Sequence, residues 1–225
     1  MHILVINPNS TAAMTKTIGE AAQSIVRTGT RITAVNPTDT PPAIQGPEDG
    51  AATLPGLFRL FDRLVLEEGG FDACVIACFD DTGLAELRLR SPIPVIGVGE
   101  AAFHAAMLIG GQFSVVTTLS VSIPVIEANL DAYGFSSRCH KVRASEVPVL
   151  ELETNPQSAC ERIAAEIERS IANEDPGAIV LGCAGMVDLA HSLSVRFGRP
   201  VLDGVSTAVA LCEALFAARN DRDAA

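Results

Sequence analysis

Cys78 and Cys183 are the residues of this 225-residue chain whose surroundings point most directly to chemistry. Ala73-Cys-Val-Ile-Ala-Cys78 is a short apolar run ending in a cysteine, and Ala178-Ile-Val-Leu-Gly-Cys183 is its counterpart. Runs of this kind read as strands buried on both faces. Each cysteine therefore falls where a parallel strand ends, the edge of an open α/β sheet at which ligands are met. The backbone N–H groups that follow, of Phe79 and Asp80 and of Ala184 and Gly185, are expected to open the next helix and to stabilise nearby negative charge. Thiols so placed should ionise more readily than a free cysteine, whose pKa is about 8.5.

Two such thiols on opposite sides of one small molecule suit racemisation at a carbon beside a carbonyl. One thiolate removes a proton from one face, and the opposite thiol returns a proton to the other. The intermediate is an enolate, which needs hydrogen-bond donors aimed at its oxygen. Asn9, Ser10, Thr117 and Thr118 lie in polar clusters at matching strand ends and are the candidate donors. With a sufficiently acidic α-proton, the chemistry requires neither a metal nor an organic cofactor.

The elements that must position these residues recur twice. His2-Ile-Leu-Val-Ile-Asn-Pro-Asn-Ser-Thr11 runs from apolar strand into polar cluster, as does Phe113-Ser-Val-Val-Thr-Thr-Leu-Ser-Val-Ser122. Pro94-Val-Ile-Gly-Val-Gly-Glu pairs with Pro200-Val-Leu-Asp-Gly-Val-Ser; Cys78 precedes its proline by 16 residues and Cys183 by 17. In the first half, strands are expected near 2–6, 31–35, 72–77 and 94–98. Helix-period apolar positions lie between them, such as Met14, Ile18, Ala22 and Ile25 behind the capping candidates Ser10 and Thr11. In the second half Asn155-Pro156 reads as a cap and first turn, followed by a stripe of Cys160, Ile163, Ala164, Ile167 and Ile171. The fold class is therefore α/β: two pseudo-symmetric doubly wound lobes, each a four-stranded parallel sheet flanked by helices, with the active site in the cleft between them. The expected lobes span 1–110 and 111–225, with the helix at the end of the first able to cross over to the other. The Pro- and Gly-rich stretch 36–50 reads as a loop over the site, and 218–225 as a frayed end.

The remaining residues carry blander readings. Cys74, Cys160 and Cys212 read as packing; Cys139 and His140, between Arg138, Lys141 and Arg143, read as a solvated strand edge. His104 and His191 fall on helix surfaces or lobe contacts. Asp80 and Asp81 read as helix N-terminal acids rather than a metal pair, and Gly97-Val-Gly99 lacks the spacing of a phosphate loop. No Cys-x-x-Cys pair occurs, and six scattered cysteines do not make a secreted disulfide scaffold. The first residues read as a buried strand rather than a signal peptide, and apolar runs are too short for a bilayer. A cytoplasmic location is expected. Net charge is -11, with one Tyr and no Trp, which disfavours nucleic acid and anionic membranes as partners. The expected partner is a small-molecule substrate.

At these residues the chain resembles the aspartate/glutamate racemase superfamily, in its hydantoin and allantoin racemase branch, over essentially its whole length. The resemblance is carried by Ile6-Asn-Pro-Asn-Ser-Thr11, Val35-Asn-Pro-Thr-Asp-Thr-Pro41, Ala77-Cys-Phe-Asp-Asp81, Val116-Thr-Thr-Leu119, Val180-Leu-Gly-Cys-Ala-Gly-Met186 and Asp203-Gly-Val-Ser206. It implies proton transfer by Cys78 and Cys183, recognition by backbone N–H groups of Phe79, Asp80, Ala184 and Gly185, and contacts from Asn9 and Thr118. It also implies a homo-oligomer. The substrate expected from it is a 5-substituted hydantoin, with allantoin as the nearest alternative; maleate isomerases and a non-catalytic ligand-binding protein are more distant ones. The intact cysteine pair argues against the one-cysteine decarboxylases. The loop 43–50 departs from many relatives at Gln45 and Pro47, and its apolar Pro41, Pro42 and Ile44 weakly favour an apolar substituent.

Overall fold

The computed structural model describes residues 1–220. It contains two four-stranded, fully parallel sheets. The first comprises β1 (His2–Ile6), β2 (Arg31–Val35), β3 (Ala73–Ile76) and β4 (Val95–Gly97) in the order β2-β1-β3-β4. The second comprises β5 (Phe113–Thr117), β6 (Cys139–Ala144), β7 (Ala178–Gly182) and β8 (Val201–Asp203) in the order β6-β5-β7-β8. The inner strands β3, β5 and β7 are buried along their whole length, as continuous apolar runs between two helical layers must be. The outer strands β2 and β6 are only half-buried, and Cys139 lies on the latter.

The registers superpose. Ile76 pairs with Ile6 and Gly97, while Leu181 pairs with Val116 and Asp203. This makes Cys78 and Cys183 equivalent, together with Asp80 and Gly185, Asp81 and Met186, and Gly97 and Asp203.

In the first half the helices are α1 (Ala12–Ile25), α2 (Pro47–Phe61), α3 (Leu84–Arg90) and α4 (Val98–Gly110). In the second they are α5 (Ile123–Ala132), the single turn α6 (Glu151–Thr154), α7 (Pro156–Glu174), α8 (Ala190–Phe197) and α9 (Gly204–Asn220). The stripe of α1 is buried at Met14, Ile18 and Ala22 but not at Ile25, which is exposed. The expected caps form differently. Thr11 and Asn155 stand at the N-cap positions of α1 and α7 without side-chain capping bonds, and the Thr11 hydroxyl donates to the Pro42 carbonyl at 2.6 Å. The fraying expected over 218–225 concerns residues that beyond Asn220 lie outside the described ones.

Two helices change sides. α4 leaves the first sheet and packs Ala102, Phe103 and Ala106 against Phe113, Val115 and Val180 of the second. α9 does the reverse, placing Val205, Ala208, Val209 and Cys212 against Ile3, Val5, Ala73 and Val75 of the first. Their N-termini meet: a Cβ on Gly204 would lie 2.5 Å from the Val98 carbonyl oxygen, so only glycine allows this approach. Phe103 is the centre of the α4 seat. Its ring stands edge-on to Phe79 at 5.5 Å and stacks on Phe113 at 5.8 Å. His104, next to it, meets the Phe135 ring edge-on, a contact between the halves.

If the exchanged helices hold the halves together, Phe103→Ala should lower unfolding stability by about 3–5 kcal/mol in denaturant titrations. Leu108→Ala, at an exposed position of the same helix, should change it by roughly 0.5 kcal/mol or less. Equal losses in the two variants would refute the importance of that seat.

Candidate active site

The two cysteine-bearing strand ends meet at a small, partly open cavity. Cys78 and Cys183 line it together with Phe79, Asp80, Ala184 and Gly185, which follow them in the chain. Asn9, Ile44 and Thr118 complete the expected set. Ser10 and Thr117 are placed otherwise. The Ser10 N–H donates to the Pro41 carbonyl at 3.0 Å, and the buried Thr117 hydroxyl donates to the Gly182 carbonyl at 2.8 Å, bonding β5 to β7 instead of facing the cavity. Asn7, Met14, Ser122 and Val149 line the cavity in addition. Asn7 is adjacent to the polar cluster and was legible from it. Met14 reads from periodicity as core, and its tip reaches the site all the same. Nothing local in the sequence marks Val149.

The polar wall is held by a buried network. Asn7 donates its amide to Asn9 Oδ1 at 2.9 Å and to Thr15 Oγ1 at 3.0 Å, and Thr15 donates onward to Asn36 Oδ1 at 2.8 Å. Asn9 Oδ1 also accepts from the Thr11 N–H, so its acceptor capacity is used. Its Nδ2 finds the weak acceptor Met14 Sδ at 3.3 Å, leaving an amide N–H for a ligand.

Each cysteine turn is gripped by the opposite half. The Asn129 amide on α5 donates to the Asp80 carbonyl at 2.9 Å, and Tyr133, one turn on, donates its hydroxyl to Asp81 at 3.1 Å. On the other side, Ala184 and Val187 pack with Met14, Ile18 and Ala22 of α1. The roof is a loop shorter than the expected 36–50, because α2 begins at Pro47; in it Gln45 Oε1 accepts from the Val149 N–H of the second half at 3.0 Å, bringing Ile44 and Val149 together.

The expected helix starts are realised unequally. After Cys183 a 3₁₀ turn begins at once, Ala184–Leu189. After Cys78 a non-helical turn intervenes before α3, so the N–H groups of Phe79 and Asp80 do not open a helix. The local N–H influence is nonetheless alike: the Asp80 N–H acts to lower the Cys78 pKa and the Gly185 N–H that of Cys183. The Cys78 sulfur also lies 3.4 Å from the Thr82 hydroxyl. These bonds do not produce the lowered thiol pKa expected at strand ends. Burial pushes Cys183 up to about 12, and Asp80 adds to the rise. Burial raises Cys78 still further, with contributions from Asp80 and Cys183. Desolvation of a thiolate here outweighs a few N–H dipoles. Burial also raises Asp80, to about 6.

Asp81 is a helix cap, but of a different helix from the one its position suggests. Its carboxylate accepts from Gly99 N–H at 2.9 Å and Glu100 N–H at 2.8 Å, at the start of α4. A Cβ on Gly97 would come within 2.2 Å of it. In the second half the arrangement is transposed: Asp203, equivalent to Gly97, accepts from Ser206 N–H at 2.7 Å at the start of α9, and Met186 stands where Asp81 would be. Among the described residues no cluster of three or more His, Cys, Asp or Glu side chains could hold a metal ion, and no helix is long and apolar enough to cross a membrane.

Two parallel α/β lobes thus exchange helices and each present a cysteine to a shared cleft. The model of the Asp/Glu/Hydantoin racemase family matches residues 3–212, and the chain belongs to that family. It is 48% identical to a hydantoin racemase of Rhizobium meliloti over 97% of this chain and 90% of that protein. Among solved structures, the allantoin racemase from Klebsiella pneumoniae is similar with a TM-score of 0.92 and 41% identity, covering 96% of this chain and 88% of that one. An allantoin racemase from Pseudomonas fluorescens gives 0.91 and 37%, covering 96% and 91%. The protein is thus a racemase by class.

Two measurements check this site. Thiols raised by burial stay neutral below their pKa, so iodoacetamide labelling of Cys78 and Cys183 should be slow near neutral pH and rise about tenfold per pH unit. A thiol titrating near pH 7 in the free protein would contradict the burial argument. For the caps, Gly97→Asp alone should cost about 1–3 kcal/mol of stability through the clash with Asp81. Combining it with Asp81→Met, which copies the second half, should recover part of that loss in urea titrations; no recovery would show the caps are not interchangeable.

Proposed function

We propose that this protein racemises 5-substituted hydantoins without a cofactor, by two-base proton transfer at C5 between Cys78 and Cys183. The observation that carries the reading is that equivalent strand ends of the two halves deliver their sulfurs to one cavity. A ring placed between them presents one face to each. The C5 proton is acidified by the adjacent ring carbonyl. The thiolate on one side takes it, and the thiol on the other side donates its own proton to the opposite face of the planar enolate. The reverse reaction uses the same pair with roles exchanged, so the productive enzyme carries one proton between two sulfurs.

The raised thiol pKa values fit this task. A buried thiolate is a stronger base toward a weakly acidic C–H than an exposed one, at the cost of a smaller ionised fraction. The Asn9 amide, Thr118 and the backbone N–H groups of the cysteine turns are the donors for the enolate oxygen. Met14, Ile44 and Val149 supply an apolar wall, which favours an alkyl or aralkyl substituent at C5. Allantoin is the second reading, supported by the likeness to allantoin racemases. Decay of optical rotation of an L-5-alkylhydantoin and of S-allantoin separates the two.

Serine is close to cysteine in shape but far weaker as an acid. Cys78→Ser and Cys183→Ser should each lower racemisation by about 10²–10⁴-fold or more, with the fold retained by circular dichroism. In deuterated water each variant should still exchange the C5 proton of one enantiomer, and the two variants should prefer opposite enantiomers. Exchange of the same enantiomer by both would refute the two-base assignment.

A further inference from the structure

Asp80 is the least satisfied charged group at the cavity. Its carboxyl is half-buried at the cavity that both sulfurs line, and the hydrogen bond it receives comes from the Ser122 hydroxyl at 3.5 Å, at the long limit of such a bond. Asp81, one residue on, receives three donors at 2.8–3.1 Å. None of the described residues lining the cavity is basic, so Asp80 has no counter-charge there. A partly desolvated carboxylate with open acceptor sites gains from N–H donors brought by a ligand.

The pseudo-symmetry gives this carboxyl no counterpart beside the other cysteine. Gly185 occupies the equivalent place beside Cys183, so the second half carries no carboxylate there. The side chain is an addition on one side of the cleft. A negative charge at that point disfavours any substrate carrying a carboxylate near the stereocentre, and favours a neutral ring with N–H groups.

We propose that the Asp80 carboxylate is a substrate-recognition group that accepts a hydrogen bond from a ring N–H of a neutral cyclic ureide. This rests on the hydantoin reading above. It makes Asp80 a determinant of substrate class: ring N–H donors are selected, and α-carboxylates are rejected. The hydrogen bond also draws charge from the carboxylate that both thiols feel, so a bound ring makes a neighbouring thiolate less costly.

The test pairs a change in the protein with a change in the ligand. Racemisation of an L-5-alkylhydantoin and of its N1-methyl and N3-methyl derivatives is followed with the full chain, its Asp80→Asn variant and its Asp80→Gly variant. Binding of unsubstituted hydantoin, which has no stereocentre, is measured by calorimetry. Asp80→Asn should raise KM and Kd by roughly tenfold or more, the scale of a hydrogen bond to a charged group, with a smaller change in kcat. One of the two N-methylations should weaken the unaltered protein by a similar factor and the Asp80 variants by much less. A hydantoin bearing an acetate at C5 should gain, relative to the alkyl substrate, when Asp80 is replaced. Asp80→Gly, which copies the chain at Gly185, guards against a defect peculiar to Asn. Unchanged KM and Kd in both variants, or N-methyl penalties that multiply in full with the substitutions, would overturn the Asp80 assignment while leaving the racemase reading standing. Absence of rotation decay with the unaltered protein would instead overturn the hydantoin reading and this inference with it.

Discussion

The exchange of α4 and α9 between the two sheets is the packing on which the rest of the molecule depends. Each sheet has an apolar face that its own half leaves to the other: Val180 and Phe113 are covered by Phe103, and Val5 and Val75 by Val205 and Val209. Burying such faces contributes about 25 cal/mol per Å² of apolar surface, so neither half can separate without a large loss. The same exchange points the carboxyl ends of β3 and β7 at a common cavity, because each sheet is anchored by a helix that begins at the other's edge. The position of two sulfurs is thus set by hydrophobic packing well away from them.

The cavity is built between the halves in its details as well. Asn129 and Tyr133 of the second half hold the turn after Cys78, while Met14 of the first packs beside the turn after Cys183. Gln45 reaches across to the Val149 N–H and closes the roof. A rigid two-sided arrangement is what the proposed proton transfer demands, since a substrate carbon must meet one sulfur on each face without turning over.

Symmetry is kept in the sulfurs and their backbone donors and given up in the carboxylates. Asp80 faces Gly185, Asp81 faces Met186, and Gly97 faces Asp203 across the pseudo-twofold relation. Both helix starts are capped by an aspartate, but one comes from a cysteine turn and the other from a strand end. The effect is to place a buried negative charge near both thiols from one side only. Two thiols at equivalent strand ends therefore sit in surroundings that are not symmetric.

What the sequence by itself determined are the features with local cause. Buried parallel strands need continuous apolar runs, so all four strands of the first half were legible within a residue or two, and the nearly equal spacing of Cys78 and Cys183 from their prolines exposed the doubling of the fold. The likeness of their settings singled these two cysteines out from Cys74, Cys160 and Cys212. Tertiary structure alone decided which way polar side chains at the strand ends face. Asn9 and Thr118 line the cavity, whereas the Thr117 hydroxyl is spent on Gly182 across β5 and β7. It also brought in Met14 and Val149, separated by most of the chain, and set the direction of the thiol shifts. A strand end followed by N–H groups argues for an acidic thiol, but desolvation depends on atoms contributed by both halves. That sum is fixed only when the halves close around the site.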